Sequence, residues 1–163
     1  MSPKNLKRHA TGFSLIELLI VISIIGIIAA IAIPSLQNYL KTGRETGAIG
    51  SLRSIHDSQA HFNSTKNKYG TLRELTDNGF IVDKTYASGK PINQYIYSDS
   101  DVSVDAYCVH ADRQSNGSGN RDFNITEDGI IYAVEAKTKG TVARGAGTPI
   151  SGTEAAEQPT EKK

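Results

Sequence analysis

From Phe13 to Ile33 the chain is apolar at almost every position, and Glu17 is the one ionisable side chain in that run. At about 1.5 Å of rise per helical residue the run reaches roughly 30 Å, enough to cross the hydrocarbon core of a bilayer. Pro34 closes it. Beyond Pro34 the pattern turns amphipathic. Leu36, Tyr39 and Leu40 share one side. Ala48, Leu52, Ile55, Gln59 and Phe62 then recur at helical spacing, while Arg44, Arg53 and Asp57 are left for solvent or a neighbouring subunit. The pattern predicts one long helix over residues 13 to about 64. Gly26 and Pro34 are its weak points, because glycine lowers helicity and proline removes a donor and crowds the carbonyl of Ala30. Gly43, Gly47 and Gly50 lower helicity too, so a break near residue 43 is the competing reading.

The remainder of the chain changes rhythm. Thr71 and Glu74 have the spacing of a capping box, which predicts a short helix with Leu72 and Leu75 turned inward and Asp77-Asn78-Gly79 as its end. From about residue 92 the period becomes two. Strands are expected over Ile92–Tyr97, along Val102, Val104, Ala106 and Cys108, over Arg121–Ile125 and over Gly129–Val134, the last two joined by a turn at Glu127-Asp128-Gly129. Ser98-Asp99-Ser100-Asp101 has the composition of a hairpin turn, and Ser115–Asn120 that of a flexible loop. From Gly140 onward the residues are small and polar, with too little apolar surface to offset the entropy of ordering, which predicts a disordered tail. The expected fold class is α+β, with a long N-terminal helix packed against a small antiparallel β-sheet of three or four strands. The divisions are a leader over 1–12, the helix over 13–64 with its membrane half over 13–33, a head over 65–139 and a tail over 140–163.

Charge modifies this picture only at the start. The chain of 163 residues has 18 basic and 17 acidic side chains. Lys4, Lys7 and Arg8 precede the apolar run without an acid among them, which keeps that end cytoplasmic under the positive-inside tendency. Without the leader, 15 bases face 17 acids, a formal −2. No strong charge is left to suggest nucleic-acid binding. The single cysteine, Cys108, rules out an intrachain disulfide and reads as a small buried apolar residue.

The residues Lys7-Arg8-His9-Ala10-Thr11-Gly12, followed by Phe13-Ser14-Leu15-Ile16-Glu17 and the apolar run to Pro34, resemble the N-terminus of the type IV pilin and type II secretion pseudopilin family. The resemblance covers residues 7–34 and fades beyond them. It implies cleavage by a prepilin peptidase between Gly12 and Phe13, followed by N-methylation of Phe13. It implies that Glu17 meets the free amine of a neighbouring subunit, which supplies the partner a carboxylate in a membrane segment needs. It further implies local unwinding between Gly26 and Pro34 during assembly, and a homopolymer built through Leu15, Leu18, Leu19 and the rest of the N-terminal helix. Its implied partners are the peptidase, the assembly machinery of the bacterial inner membrane and, before assembly, the bilayer itself. The resulting filament is extracellular or periplasmic. Many pilins close a C-terminal loop with a disulfide, and this sequence departs from that pattern.

The other readings of the same stretch are an uncleaved membrane anchor and a conventional signal peptide cut after Ala30-Ile31-Ala32. The apolar run is longer than a signal peptide's usual core, and Glu17 sits badly in one. Within the family, a pseudopilin of a type II secretion system and a minor pilin with a binding role stand beside the filament subunit.

Catalytic chemistry has little support. His56 and His61 lie five apart on a predicted helix, which does not pair them on a metal, and the chain has neither a nucleophile triad spacing nor a phosphate loop. No enzyme activity and no cofactor are expected. Asp99, Asp101 and Asp105 are the best candidate cluster for a Ca²⁺ ligand set, in competition with the turn-forming role of Ser98-Asp99-Ser100-Asp101. The seven tyrosines are expected to pack, with their hydroxyls wet.

Overall fold

The computed structural model describes residues 13–135 and 142–150. The chain divides into two units, one ending at Asn38 and the other starting at Tyr39. Helix α1, Leu15–Lys66, contributes to both. The expected leader over residues 1–12 lies outside the described residues.

In the first unit the described residues are almost entirely α1. Pro34 is accommodated inside the helix, and Ser23 and Ser35 return their hydroxyls to the carbonyls of Leu19 and Ile31, four residues back. The glycines at 43, 47 and 50 do not break the helix either. Burial of the stripe that follows them outweighs a propensity loss of about 1 kcal/mol each.

The second unit is built on that stripe. Ala48, Leu52, Ile55, Gln59 and Phe62 are all buried, as the spacing predicts, and Glu45 and Ile49 join them. At about 1.5–3 kcal/mol for each fully buried large apolar side chain, Leu52, Ile55 and Phe62 alone account for much of the helix's attachment. Helix α2, Leu72–Asp77, follows, and its capping box is complete. Thr71 Oγ1 accepts from Glu74 N at 3.1 Å, and Glu74 Oε2 accepts from Thr71 N at 2.9 Å. Gly79 leaves the helix at φ 78°, in the left-handed region that glycine enters without strain.

The sheet is an antiparallel meander in the order β1-β2-β3-β4-β5, with β1 Tyr95–Ser100, β2 Cys108–Arg113, β3 Arg121–Thr126, β4 Ile131–Glu135 and β5 Thr148–Ile150. One face supplies Tyr95, Tyr97, Val109, Ala111, Phe123, Ile125, Ile131 and Ala133 to the core shared with α1. The β3–β4 turn is the expected one, with Gly129 at φ 74°.

Four expectations need correction. The first strand starts at Tyr95, and Ile92 only bridges back to Tyr95 across a tight turn at Asn93 and Gln94, both with positive φ. Ser98, Asp99 and Ser100 are strand residues paired with His110, Val109 and Cys108, so the hairpin leaves the sheet only at Asp101, at φ 52°. The stretch Val102–Ala106 is that hairpin's loop and not a strand. Ser103 N donates to Ala106 O at 2.8 Å, and Ser103 Oγ accepts from Ala106 N at 3.1 Å, so local bonds of the serine displace a ladder, and Val104 stays exposed. The tail does not begin at residue 140 as a whole. Residues 148–150 form β5 on the edge of β4, while residues 151–163 lie outside the described residues.

Candidate functional site

The candidate assembly element is the first unit's helix. Among the described residues its large apolar side chains stand exposed. Phe13 is 77% exposed and Leu15 87%, and Leu18, Leu19, Ile24, Ile25 and Ile28 are all exposed. An 18-residue window of this helix has a mean hydropathy of 2.9, and the helix is long and apolar enough to cross a membrane. A soluble fold does not leave a surface of this kind bare. Contiguous apolar patches of such extent mark membrane or protein contacts.

Glu17 lies in the first turn. Its Oε2 accepts from Ser14 N at 2.9 Å, the reach of an N3 glutamate back to an N-cap amide. The carboxylate also sits at the positive end of the helix dipole. The sequence signal for this was present in the Ser14-x-x-Glu17 spacing. Gly26 has no heavy atom within 4 Å of where a Cβ would stand, so its face is open for another chain to approach. Pro34 lies within the helix. Gly12, on the other side of the expected cleavage, lies outside the described residues.

The three aspartates do not converge. Asp99 Oδ1 accepts from Leu72 N at 3.2 Å and so ties β1 to the start of α2. Asp101 accepts from Ser100 Oγ at 3.2 Å, and Asp105 is exposed in the hairpin loop. Among the described residues no group of three or more His, Cys, Asp or Glu is placed to hold a metal ion.

In the head, the residue that sequence reasoning missed is Glu45. It is 4% exposed, and its carboxylate accepts from Asn120 N at 2.6 Å and from Arg121 Nε at 2.8 Å. The available signal was its position three residues before Ala48 on the buried stripe. A carboxylate there needs a partner, and the partner lies 76 residues away. Beside it, Arg44 Nη1 donates to Gly117 O at 3.1 Å, so this arginine does not simply face solvent. The loop expected to be flexible is thus pinned. Ser118 is fully buried and also donates to Gln94 Oε1. Arg113 and Asp122, both buried, close the loop's base with Nε to Oδ1 at 2.9 Å. Of the tyrosines, Tyr95, Tyr97 and Tyr107 are core residues, and burial pushes all three hydroxyls up, Tyr97 to about 12. Tyr39 is exposed.

Residues 7–33 match the family model for the prokaryotic N-terminal methylation motif. The chain is 32% identical over 125 residues to the type IV wide pilus major component PilA4 of Thermus thermophilus, a match over 77% of this chain and 88% of that protein. The chain belongs to the type IV pilin and pseudopilin family. It is also 43% identical over 58 residues to the type IV major pilin protein PilA of Myxococcus xanthus, where the match covers 36% of this chain and 26% of that protein. To the type II secretion system core protein G of Aeromonas hydrophila it is 27% identical over 85 residues, 52% of this chain and 58% of that protein. The chain thus spans about a quarter of the Myxococcus pilin and most of the Thermus one. As a member of this family, the chain has its features in the expected order, with the exposed apolar helix first and the sheet head later in the sequence.

Proposed function

We propose that this protein is a structural subunit of a type IV pilus-like filament, cut between Gly12 and Phe13, N-methylated at Phe13 and assembled through its N-terminal helix. The observation that carries the reading is the exposed apolar surface from Phe13 to Ile33, in which Glu17 is the one ionisable side chain, in a chain of this family. In the bilayer of the bacterial inner membrane, lipid covers that surface, and the basic leader holds the N-terminus in the cytoplasm. In the filament, copies of the same helix cover it. The contact is heterologous and does not close on itself, which is the geometry that builds a fibre. Apolar burial at roughly 25 cal/mol per Å² supplies the cohesion. Glu17 sets the register by pairing with the amine of a neighbouring Phe13, the best-attested use of a buried ion pair. The stretch from Gly26 to Pro34 is where the helix gives way on assembly. The match over 88% of a pilus component favours a pilus subunit over a pseudopilin.

Intact and N-terminal mass spectrometry of the protein from its own cells tests the processing. A chain beginning at methylated Phe13 is expected. A chain beginning at Ile33, or one still carrying residues 1–12, overturns the reading. Assembly is tested by Glu17→Ala and Glu17→Gln, both expected to be processed and to assemble poorly. Filaments of normal yield from either variant alone would remove Glu17 from the mechanism.

A further inference from the structure

Over β2 and β3 the face of the sheet opposite the core is polar, yet it is buried. Cys108 and His110 on β2 and Asn124 and Thr126 on β3 alternate with the core residues Val109, Ala111, Phe123 and Ile125, and all four are 5% exposed or less. Residues 142–147 reach this face. Asn124 Nδ2 donates to Ala146 O, and Asn124 Oδ1 accepts from Gly145 N, both at 3.0 Å. Arg144 pairs with Glu127 and donates to Tyr107 O at 3.4 Å. β5 then continues on the edge of β4.

His110 stands directly opposite Asn124 in the β2–β3 register. Its Nε2 lies 2.9 Å from Ser100 Oγ and 3.5 Å from Cys108 Sγ. Its Nδ1 has no hydrogen-bond partner among the described residues, and the side chain is 2% exposed. A neutral imidazole fits such a place. An imidazolium has two N–H donors and would need an acceptor at each nitrogen. The charged groups around the ring have these partners. Asp101 accepts from Ser100 Oγ, Asp99 from Leu72 N, Asp122 is paired with Arg113, and Arg144 with Glu127. Cys108 and Asp112 share the ring's own strand and face. Burial lowers the pKa of His110, opposed by the nearby charges of Asp101 and Asp99.

We propose that residues 142–150 are an acid-releasable strap over this face, with His110 as its trigger. The proposal rests on the head alone and is independent of the filament reading. The sign follows from linkage. With the strap down the ring stays neutral, and with the strap lifted it meets water and titrates near an ordinary value of about 6.5. The lifted state therefore gains as pH falls below that value. If the covered ring stays neutral throughout, lifting becomes about 30-fold more favourable at pH 5 than at pH 7.5.

The test is hydrogen exchange at the Gly145 amide, the donor to Asn124, in the full chain in detergent, with rates corrected for the intrinsic pH dependence of exchange. The expected result is a 10- to 30-fold rise in the opening constant from pH 7.5 to pH 5, absent in His110→Gln. Opening constants within twofold of each other at the two pH values would overturn the proposal. So would a His110→Gln protein that keeps the full pH dependence. Should that variant fail to fold, NMR titration of His110 in the unmodified chain decides. Protonation coinciding with loss of Gly145 protection supports the strap, and protonation near 6.5 with protection retained refutes it.

Discussion

Replacing Glu45 with alanine tests the contact that ties the head's loop to α1. The carboxylate receives two charge-assisted hydrogen bonds, from Asn120 N and Arg121 Nε, and is itself almost fully buried. Breaking a buried ion pair by removing one partner costs about 3–5 kcal/mol when the other charge is stranded. Here the stranding is incomplete. The Arg121 side chain is 30% exposed and Asn120 is exposed, so both donors recover part of their solvation. A loss of about 2–3 kcal/mol is expected for Glu45→Ala, and about half that for Glu45→Gln, which keeps acceptor capacity but not the charge. Arg121→Met completes the cycle while retaining a stem over the Phe123 ring, on which the guanidinium now sits at 5.5 Å from the centroid. The coupling between positions 45 and 121 should exceed 1 kcal/mol. The assay is urea unfolding of the full chain in detergent, followed by near-ultraviolet circular dichroism. The chain has no tryptophan, so that signal reports the buried Tyr95, Tyr97 and Tyr107. A loss below 0.5 kcal/mol for Glu45→Ala (roughly the error of such measurements) would refute the reasoning.

Gln59 is a polar residue on an apolar stripe because its amide closes both backbone groups of Gly70, with Nε2 to O at 2.6 Å and N to Oε1 at 3.0 Å, so Gln59→Leu should cost about 2–4 kcal/mol by the same unfolding assay despite its greater apolarity. Gly147 holds φ 120° with the Ala133 carbonyl where a Cβ would stand, so Gly147→Ala should speed amide exchange in β5 at least tenfold while leaving β2 and β3 protected. Thr71→Ala removes the acceptor for Glu74 N and should cost about 1 kcal/mol, a fall of roughly 4–8 °C in the melting temperature of a head this small. Its partner Glu74 has its pKa lowered from 4.5, first by the hydrogen bond from Lys68, so its contribution is full above that value and is lost as pH falls through the lowered one. Glu74→Gln should therefore be less stable than the parent chain at pH 7, with the gap narrowing as pH falls below 4.5 in urea titrations.

What could be read from the sequence follows the range of the interaction that fixes each element. The apolar run and the stripe from Ala48 to Phe62 were legible because burial there depends on composition within one window, and period 3.6 leaves one solution. The capping box at Thr71 and the turn at Gly129 were legible because both partners lie within a few residues. The strand limits were not. Val102 to Ala106 has the alternation of a strand, and the turn at Asp101 and the local bonds of Ser103 take it out of the sheet. Cys108–Arg113 is buried at almost every position, so it has no alternation to read. β5 was hidden by the composition of its neighbourhood. Gly145 and Ala146 are held through the side chain of Asn124, more than 20 residues back, and no window joins them.

The same distinction separates the cap that Glu17 forms from the register role proposed for it. As a helix cap it is a local residue, bonded to Ser14 N within its own chain. In the register role proposed for it, Glu17 would also accept the amine of another copy. A carboxylate has about four lone-pair sites on two oxygens, so the second bond does not require losing the first. Under that proposal the cap serves assembly. It would hold the carboxylate at the first turn of a helix whose membrane half has no other ionisable side chain, and so reduce the orientational entropy lost when the neighbouring amine arrives. A glutamate placed a turn further along would lack the Ser14 amide and the favourable end of the helix dipole, and would enter the bilayer as an uncompensated charge. The position of Glu17, four residues from the expected new N-terminus, is therefore one at which a membrane helix can carry a carboxylate while it waits for a partner chain.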